Sequence, residues 1–165
     1  MPRRLLRDGA IVLDEWRTAG EAGGEASEAY PLLLPLAEWL AEPARWRSWR
    51  APLGVMLAPA DPVERIVADL ERLALVAAHF PSPGEGRGYT QGRLLRERHG
   101  FEGELRASGH VRIDQVFLLA RCGFNSFELP ESELVRGAGA LRTFSAAYQR
   151  SDDRGLAAAL RRRSL

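Results

Sequence analysis

Cysteine and histidine are scarce in this chain of 165 residues. The single cysteine, Cys122, excludes an internal disulfide and a cysteine-ligated iron–sulfur cluster. The three histidines, His79, His99 and His110, do not have the spacing of metal ligands, so no metal site is predicted. No apolar run approaches the roughly 20 residues of a membrane helix, and the start, MPRRLLRDG, lacks the apolar region of a signal peptide. We therefore expect a cytoplasmic protein without membrane contact.

An excess of charge of either sign is also missing. The chain carries 23 basic and 22 acidic residues, for a net charge of +1. A polyanion would need a local basic patch, so nucleic acid is not an expected partner. The hydrophobic share of 45% and the length are typical of one soluble domain with a real core.

The chain divides by composition into four parts. Residues 1–16 are predicted to form a β-hairpin, because Asp8-Gly9 separates two apolar runs and both residues tolerate positive φ. Residues 17–29 are small, polar and glycine-rich, which predicts a flexible linker. Residues 30–150 make up an α/β domain, and residues 151–165 form a basic tail.

Strands and helices alternate through the main domain. Predicted strands cover 30–36, 52–59, 73–80, 104–109 and 124–129, and predicted helices cover 37–49, 61–72, 89–99, 111–122 and 131–150. Strands that are apolar throughout are typical of a parallel sheet covered on both faces. The fold class is therefore α/β, with a mostly parallel sheet of about five βα units. An open doubly wound sheet and an incomplete β/α barrel both remain open.

The glycine-rich turn at 81–92 follows a strand and opens a helix. Backbone N–H groups at such a turn suit an oxyanion. The predicted anion ligands of this turn are Gly86, Arg87, Gly88, Tyr89 and Thr90. A structural turn without a ligand is the alternative. The spacing almost matches a dinucleotide fingerprint but lacks its later acidic residue, so no cofactor is evident.

Arg106 and Gly109 complete the predicted anion site. A charged residue inside an apolar strand must be paired or must face a polar pocket. An ion pair of Arg106 with Asp114 or Glu128 and a ligand contact are equally open. Gly109 ends the same strand, where α/β proteins place ligands.

Three residues are candidates for catalysis, although whether the protein is an enzyme stays open. His110 lies at a helix start and could transfer a proton near neutral pH. Asp114 falls in the first turn of that helix, where capping is the simpler explanation, and Tyr89 offers a hydroxyl. Cys122 ends a helix, where the dipole disfavours a thiolate, so we expect a packed core residue.

A tryptophan-rich helix is the second candidate surface. Trp39, Trp46 and Trp49 share one side of the predicted helix, and Arg47 lies between them. Tryptophan and arginine are enriched at interface hot spots, which favours partner binding. Core packing of the same stripe is the alternative.

The stretch 86–129 resembles a bacterial family of unknown function, domain family 934, whose genes accompany assimilatory sulfite reductase and whose members are often labelled oxidoreductases of sulfite reduction. The resemblance rests on GRGYT (86–90), LLR (94–96), GELRA (103–107), GHV (109–111), DQ (114–115) and RCGF (121–124). It extends over about residues 1–150. Glu85, Thr90 and His110 stand where the family pattern has aspartate, serine and aspartate.

The resemblance implies an accessory protein of assimilatory sulfite reduction, with a sulfite-reductase-type enzyme as partner. In that function the predicted anion site would hold a small oxyanion or a phosphate-like group. Two alternatives remain: a non-catalytic docking subunit without a ligand site, and a free-standing β/α-barrel-like enzyme acting on a small anionic substrate. A homo-oligomer is also open.

Overall fold

The fold is described from a computed structural model that covers residues 3–18 and 27–148, with side chains through residue 143. Most of the predicted linker and the whole basic tail, 151–165, lie outside these residues. The start of the linker is described: Arg17 and Thr18 form a short strand that pairs in parallel with Leu32 and Leu33.

One sheet organises the described residues. Its strands, β1 to β8, are Arg4–Arg7, Ala10–Leu13, Arg17–Thr18, Leu32–Pro35, Leu53–Leu57, Leu73–Phe80, Glu104–Gly109 and Ser126–Phe127. The spatial order is β2-β1-β8-β7-β6-β5-β4-β3, and the sheet curls into a half-barrel. Within the described ranges β3 to β8 pair in parallel, whereas β1 pairs with both β2 and β8 in antiparallel fashion.

The α/β class is confirmed, but the predicted mostly parallel sheet of five units is corrected to a mixed sheet of eight strands. The hairpin accounts for much of the difference. Its turn has the expected positive φ at Asp8 (50°) and Gly9 (76°). The hairpin extends the sheet itself, because Leu6 and Arg7 pair with β8.

The helices lie between consecutive parallel strands or after the last one. The α-helices, α1 to α5, are Leu36–Ala41, Pro43–Ser48, Arg87–Arg93, Val116–Arg121 and Leu134–Tyr148. A π-helical segment, Leu94–Arg98, continues α3. Short 3₁₀ segments cover Val63–Arg65, Val67–Arg72, Ile113–Gln115 and Glu131–Glu133. No helix in the described ranges is both long enough and apolar enough to cross a bilayer.

The predicted helix at 61–72 is replaced by two of these 3₁₀ segments. The carboxylate of Asp61, the first residue of the predicted helix, accepts a hydrogen bond from Ala58 N in the preceding turn (2.8 Å). Ile66 interrupts the segment with φ −116° and ψ −3°, so a continuous α-helix does not form.

The described helices all pack against one face of the sheet, which we call the outer face. Their buried side chains, among them Leu36, Leu95 and Leu119, share one apolar core with Val55 and Val76. This arrangement distinguishes between the two predicted architectures, because helices of a doubly wound sheet would cover both faces. The incomplete barrel is the better description.

The opposite, inner face is covered differently. Leu75 and Ala77 of β6 and Leu33 of β4 form a small second core beneath the indole of Trp16, which lies just after the hairpin. Along β7, side chains alternate between faces, so Leu105 and Ala107 enter the main core while Arg106 points to the inner face. The inner face therefore carries a polar group at its centre.

Candidate functional site

The glycine-rich turn positions a carboxylate of the protein itself at the predicted anion position. Gly86 precedes α3, and Glu85 accepts hydrogen bonds from Arg87 N (3.0 Å), Arg87 Nε (3.0 Å) and Arg87 Nη2 (2.9 Å). These bonds hold the pKa of Glu85 at about 2, well below its ordinary value. The Arg87 side chain is 63% exposed and committed to this pair.

The other predicted ligands in this turn attach α3 to the sheet. Gly88 lies against the ring of Phe80, where an added Cβ would come within 2.4 Å of a ring carbon. The ring of Tyr89 meets Phe80 edge-on at 5.6 Å, and burial is the main cause that raises the pKa of its hydroxyl. Thr90 borders a shallow depression of about 340 Å³ between α3 and α4. Packing accounts for these residues.

Arg106 lies on the inner face and is only 1% exposed. Its Nε and Nη2 donate to Glu104 Oε1 (3.0 and 2.9 Å), and its Nη1 donates to both oxygens of Asp14 (3.1 and 3.2 Å). Glu128 Oε1 is 3.6 Å from Nη1. Of the two predicted partners, Glu128 is a neighbour and Asp114 pairs with Arg112 instead. Arg87, near α3 on the outer face, is not brought together with Arg106.

This cluster balances its charges. Arg7 donates to Glu104 Oε2 (3.3 Å), and Arg3 lies 3.9 Å from Asp14. Three arginines thus face three carboxylates, all within or beside the hairpin, β7 and β8. Arg106, Asp14 and Glu104 at the centre of the cluster are buried, whereas Arg3 and Arg7 at its edge are exposed. We call the cluster the buried ionic network after its centre.

A cavity of about 170 Å³ opens beside Arg106 at the carboxyl end of the parallel strands. We call it the inner cavity. It is lined by Arg3, Asp14, Trp16, Thr18, Leu33, Met56, His79, Arg106, Ser108, Gly109 and Glu128. Half-barrels and barrels place ligand sites at this edge, because the loops and last side chains of several strands converge there.

His79 and Ser108 form the polar wall of the inner cavity. They are partners in the β6–β7 register, and Ser108 Oγ lies 3.5 Å from His79 Nδ1. The backbone at Gly109 has φ +87°, and a Cβ there would lie 2.5 Å from Phe80 O and 2.7 Å from the His79 ring. Only glycine fits at this position, which keeps the wall of the cavity in place.

A larger groove of about 1090 Å³ lies next to the inner cavity and shares Arg3, Asp14, Gly109 and Glu128 with it. We call it the outer groove. His110 borders the groove. Asp114 has a side chain that is 72% exposed and belongs to neither space. The three predicted catalytic candidates therefore do not converge: His110 borders the groove, Tyr89 packs on Phe80 and Asp114 faces solvent.

The tryptophan-rich segment contributes mainly to the core. Trp39 and Trp46 are each 3% exposed, and Trp46 Nε1 donates to Glu38 O (3.0 Å). Trp49 is half-buried, packs edge-on against Trp46 at 5.6 Å and is covered by Arg45. Arg47 is exposed. The core-packing alternative thus describes Trp39 and Trp46.

Cys122 is a buried free thiol, and burial is the main cause that raises its pKa. This agrees with the expected core position. Across the described ranges, no three histidine, cysteine or acidic side chains are grouped as metal ligands.

The sequence analysis did not identify several residues of the inner cavity and of the Arg106 network. Asp14 and Trp16 belong to the predicted hairpin, 1–16, and no local signal connects them with β7. Asp14 is 92 residues from its partner Arg106. His79 and Glu104 did leave a signal. His79 is a polar residue near the end of an apolar strand, and Glu104 is two residues from Arg106 and so on the same face.

A comparison with protein families gives a match. The sequence model of a family described as "Bacterial protein of unknown function (DUF934)" matches residues 54–158. No curated protein matches the chain. The matched range contains the glycine-rich turn, β5 to β8 and most of the cavity wall, whereas Asp14 and Trp16 precede it.

Proposed function

Since this chain belongs to the bacterial family of unknown function DUF934, we propose that it is a cytoplasmic accessory protein of assimilatory sulfite reduction. In this proposal the protein binds a small oxyanion in the inner cavity and works beside a sulfite-reductase-type enzyme. The pathway and the partner come from the resemblance of the 86–129 motifs. The ligand site comes from the inner cavity, which replaces the glycine-rich turn as the place of binding.

The observation that carries the proposal is a cavity with one polar wall at the carboxyl edge of the half-barrel. Its volume of about 170 Å³ is close to the ~150 Å³ that holds one benzene ring. A tetrahedral or pyramidal oxyanion fits within that space. In the glycine-rich turn, by contrast, the N–H of Arg87 already donates to Glu85.

Donors for such an anion line the cavity on two sides. Arg3 is at its rim, and Ser108 and His79 supply a hydroxyl and a ring nitrogen from adjacent strands. Arg106 adds positive charge from behind, although its hydrogen bonds go to carboxylates. Charge-assisted bonds from Arg3, together with neutral bonds from the wall, are the interactions expected to hold the anion.

Calorimetric titration with sulfite and with phosphate tests the proposal. Ser108→Ala and His79→Phe, made separately in the full chain, should each weaken binding by about tenfold, the loss expected for a hydrogen bond to a charged ligand. Arg87→Ala is the matched control, because Arg87 is an equally prominent arginine outside the cavity, and it should bind like the unaltered protein. Absence of binding, or loss of binding in the Arg87 variant alone, would contradict the proposal.

A docking subunit without a ligand is the second candidate function. For this function the outer groove is a better docking surface than the tryptophan-rich helix. Leu13 lines the groove and is 57% exposed, so it offers an apolar contact there. Under this alternative, Leu13→Glu should abolish co-purification of a sulfite-reductase-type enzyme from the host. Trp49→Ala should leave co-purification intact. Intact co-purification of the Leu13 variant would count against docking through the groove.

A further inference from the structure

Glu128 is the least satisfied carboxylate of the buried ionic network. Glu104 and Asp14 each accept at least two hydrogen bonds at 3.3 Å or less, from arginines or from Trp16 N. Among the described residues, Glu128 Oε2 accepts one hydrogen bond, a long one from Gly109 N (3.4 Å). Glu128 Oε1 lies 3.6 Å from Arg106 Nη1, beyond hydrogen-bond distance. Its lone pairs are therefore available for a further donor.

Glu128 is positioned so that its carboxylate can accept a hydrogen bond from a ligand. The residue directly follows β8 and lines both the inner cavity and the outer groove, with a side chain that is 31% exposed. Ser108 and His79 line the same cavity. A ligand in the cavity thus meets both hydrogen-bond donors and a carboxylate.

A fully deprotonated oxyanion would be repelled by that carboxylate. Arg106 offsets this repulsion only in part, because its Nη1 bonds both oxygens of Asp14 and its Nη2 bonds Glu104. An oxyanion that retains one acidic hydrogen removes the conflict, since its O–H can donate to Glu128 while its other oxygens accept. Hydrogen bonds between a hydroxyl and a carboxylate are short and strong.

We propose that the inner cavity selects oxyanions that carry a proton, such as hydrogensulfite or hydrogenphosphate, and that Glu128 is the residue that determines this specificity. The inference rests on the proposed oxyanion binding. Rejection of sulfate, which has no proton at neutral pH, is the expected consequence. An accessory protein of sulfite reduction would then distinguish hydrogensulfite from the more oxidised sulfate by the bound proton alone.

Phosphate and sulfate are a matched pair of probes, because both are tetrahedral and of similar size but only phosphate carries a proton near neutral pH. In calorimetric titrations at constant ionic strength, the unaltered full chain should bind phosphate at least about tenfold more tightly than sulfate, the factor expected for one charge-assisted hydrogen bond. Glu128→Gln should weaken phosphate binding and strengthen sulfate binding, because glutamine can donate as well as accept. The preference should then fall to about threefold or less.

Glu131→Gln is the control variant. Glu131 is a nearby carboxylate that lines only the outer groove and pairs with Arg4, so its replacement should leave the preference unchanged. Equal binding of phosphate and sulfate, or a preference that survives in the Glu128 variant, would overturn this inference and leave oxyanion binding standing. Binding of neither probe would overturn both. Urea unfolding of each variant establishes that a lost preference is not a lost fold.

Discussion

Replacing Arg106 with alanine would leave three carboxylates of the inner face without their central cation. Asp14 and Glu104 have side chains that are 3% and 10% exposed, so water cannot solvate them in place of the guanidinium. Removing one partner of a buried ion pair costs about 3–5 kcal/mol, mostly because the remaining charge is stranded. We expect Arg106→Ala to lower the free energy of unfolding by that amount.

Such a loss is a large part of the roughly 5–15 kcal/mol by which a domain is stable. With an m-value of about 2 kcal/mol per molar urea, the unfolding midpoint should shift by roughly 1.5–2.5 M. Urea titration followed by tryptophan fluorescence measures the shift, since Trp16 and Trp46 are both buried in the native state. Arg106→Lys should give an intermediate loss, because an ammonium lacks the planar fork that bonds both carboxylates.

Arg87→Ala is the matched control for stability. Arg87 also bonds a carboxylate through two side-chain nitrogens, but it does so at 63% exposure. Exposed pairs contribute about 0–1 kcal/mol. The reasoning would be refuted if both alanine variants unfolded within about 1 kcal/mol of each other.

Three further predictions concern other parts of the structure. Gly109→Ala should lower the free energy of unfolding by about 2 kcal/mol or more, because φ is +87° and the new Cβ would lie 2.5 Å from a carbonyl oxygen of β6. Gly84→Ala is the control, because the new Cβ would lie in open space, and it should be nearly neutral in the same urea assay. The Glu85 carboxylate should titrate near pH 2 by NMR, and Arg87→Ala should return its pKa towards the ordinary range. Because the folded pKa is lowered, the stability from this pair is present above the ordinary pKa and is lost as the pH falls towards 2. Cys122 should react slowly with iodoacetamide at mildly alkaline pH, since its pKa is raised and the thiol is buried, and rapidly once urea unfolds the chain.

The hydrophobic pattern was sufficient to locate the long buried strands. The bounds predicted for β6 and β7 agree with Leu73–Phe80 and Glu104–Gly109, because continuous apolar runs bounded by turns leave few alternatives. The same pattern did not show how the sheet is covered. The inner face is sealed by Trp16, which is distant in sequence from the strands it covers, so the apolar strands were attributed to helices on both faces.

The sequence analysis and the structure both indicate a candidate site at the carboxyl edge of the sheet, but at different turns. Gly109 and Arg106 do border the inner cavity. The glycine-rich turn was predicted as an anion site because of its N–H groups. Glu85, which lies just before the helix, was the signal that the Arg87 N–H has an internal acceptor. The two partners of Arg106 differ in what was needed to predict them. Glu104 follows from strand alternation, whereas Asp14 lies near Arg106 only because the hairpin joins the sheet.

The Arg106 network connects the stability of the fold with the shape of the proposed site. By bonding Asp14, Arg106 attaches the end of the hairpin to β7, and Asp14 Oδ1 in turn accepts from Trp16 N (3.2 Å). The indole of Trp16 is a wall of the inner cavity. A well-packed apolar group would stabilise this position at least as well as a buried ion pair, so stability alone does not explain an arginine here. A fixed network that holds Trp16 in place and leaves one carboxylate, Glu128, with an open acceptor does explain it.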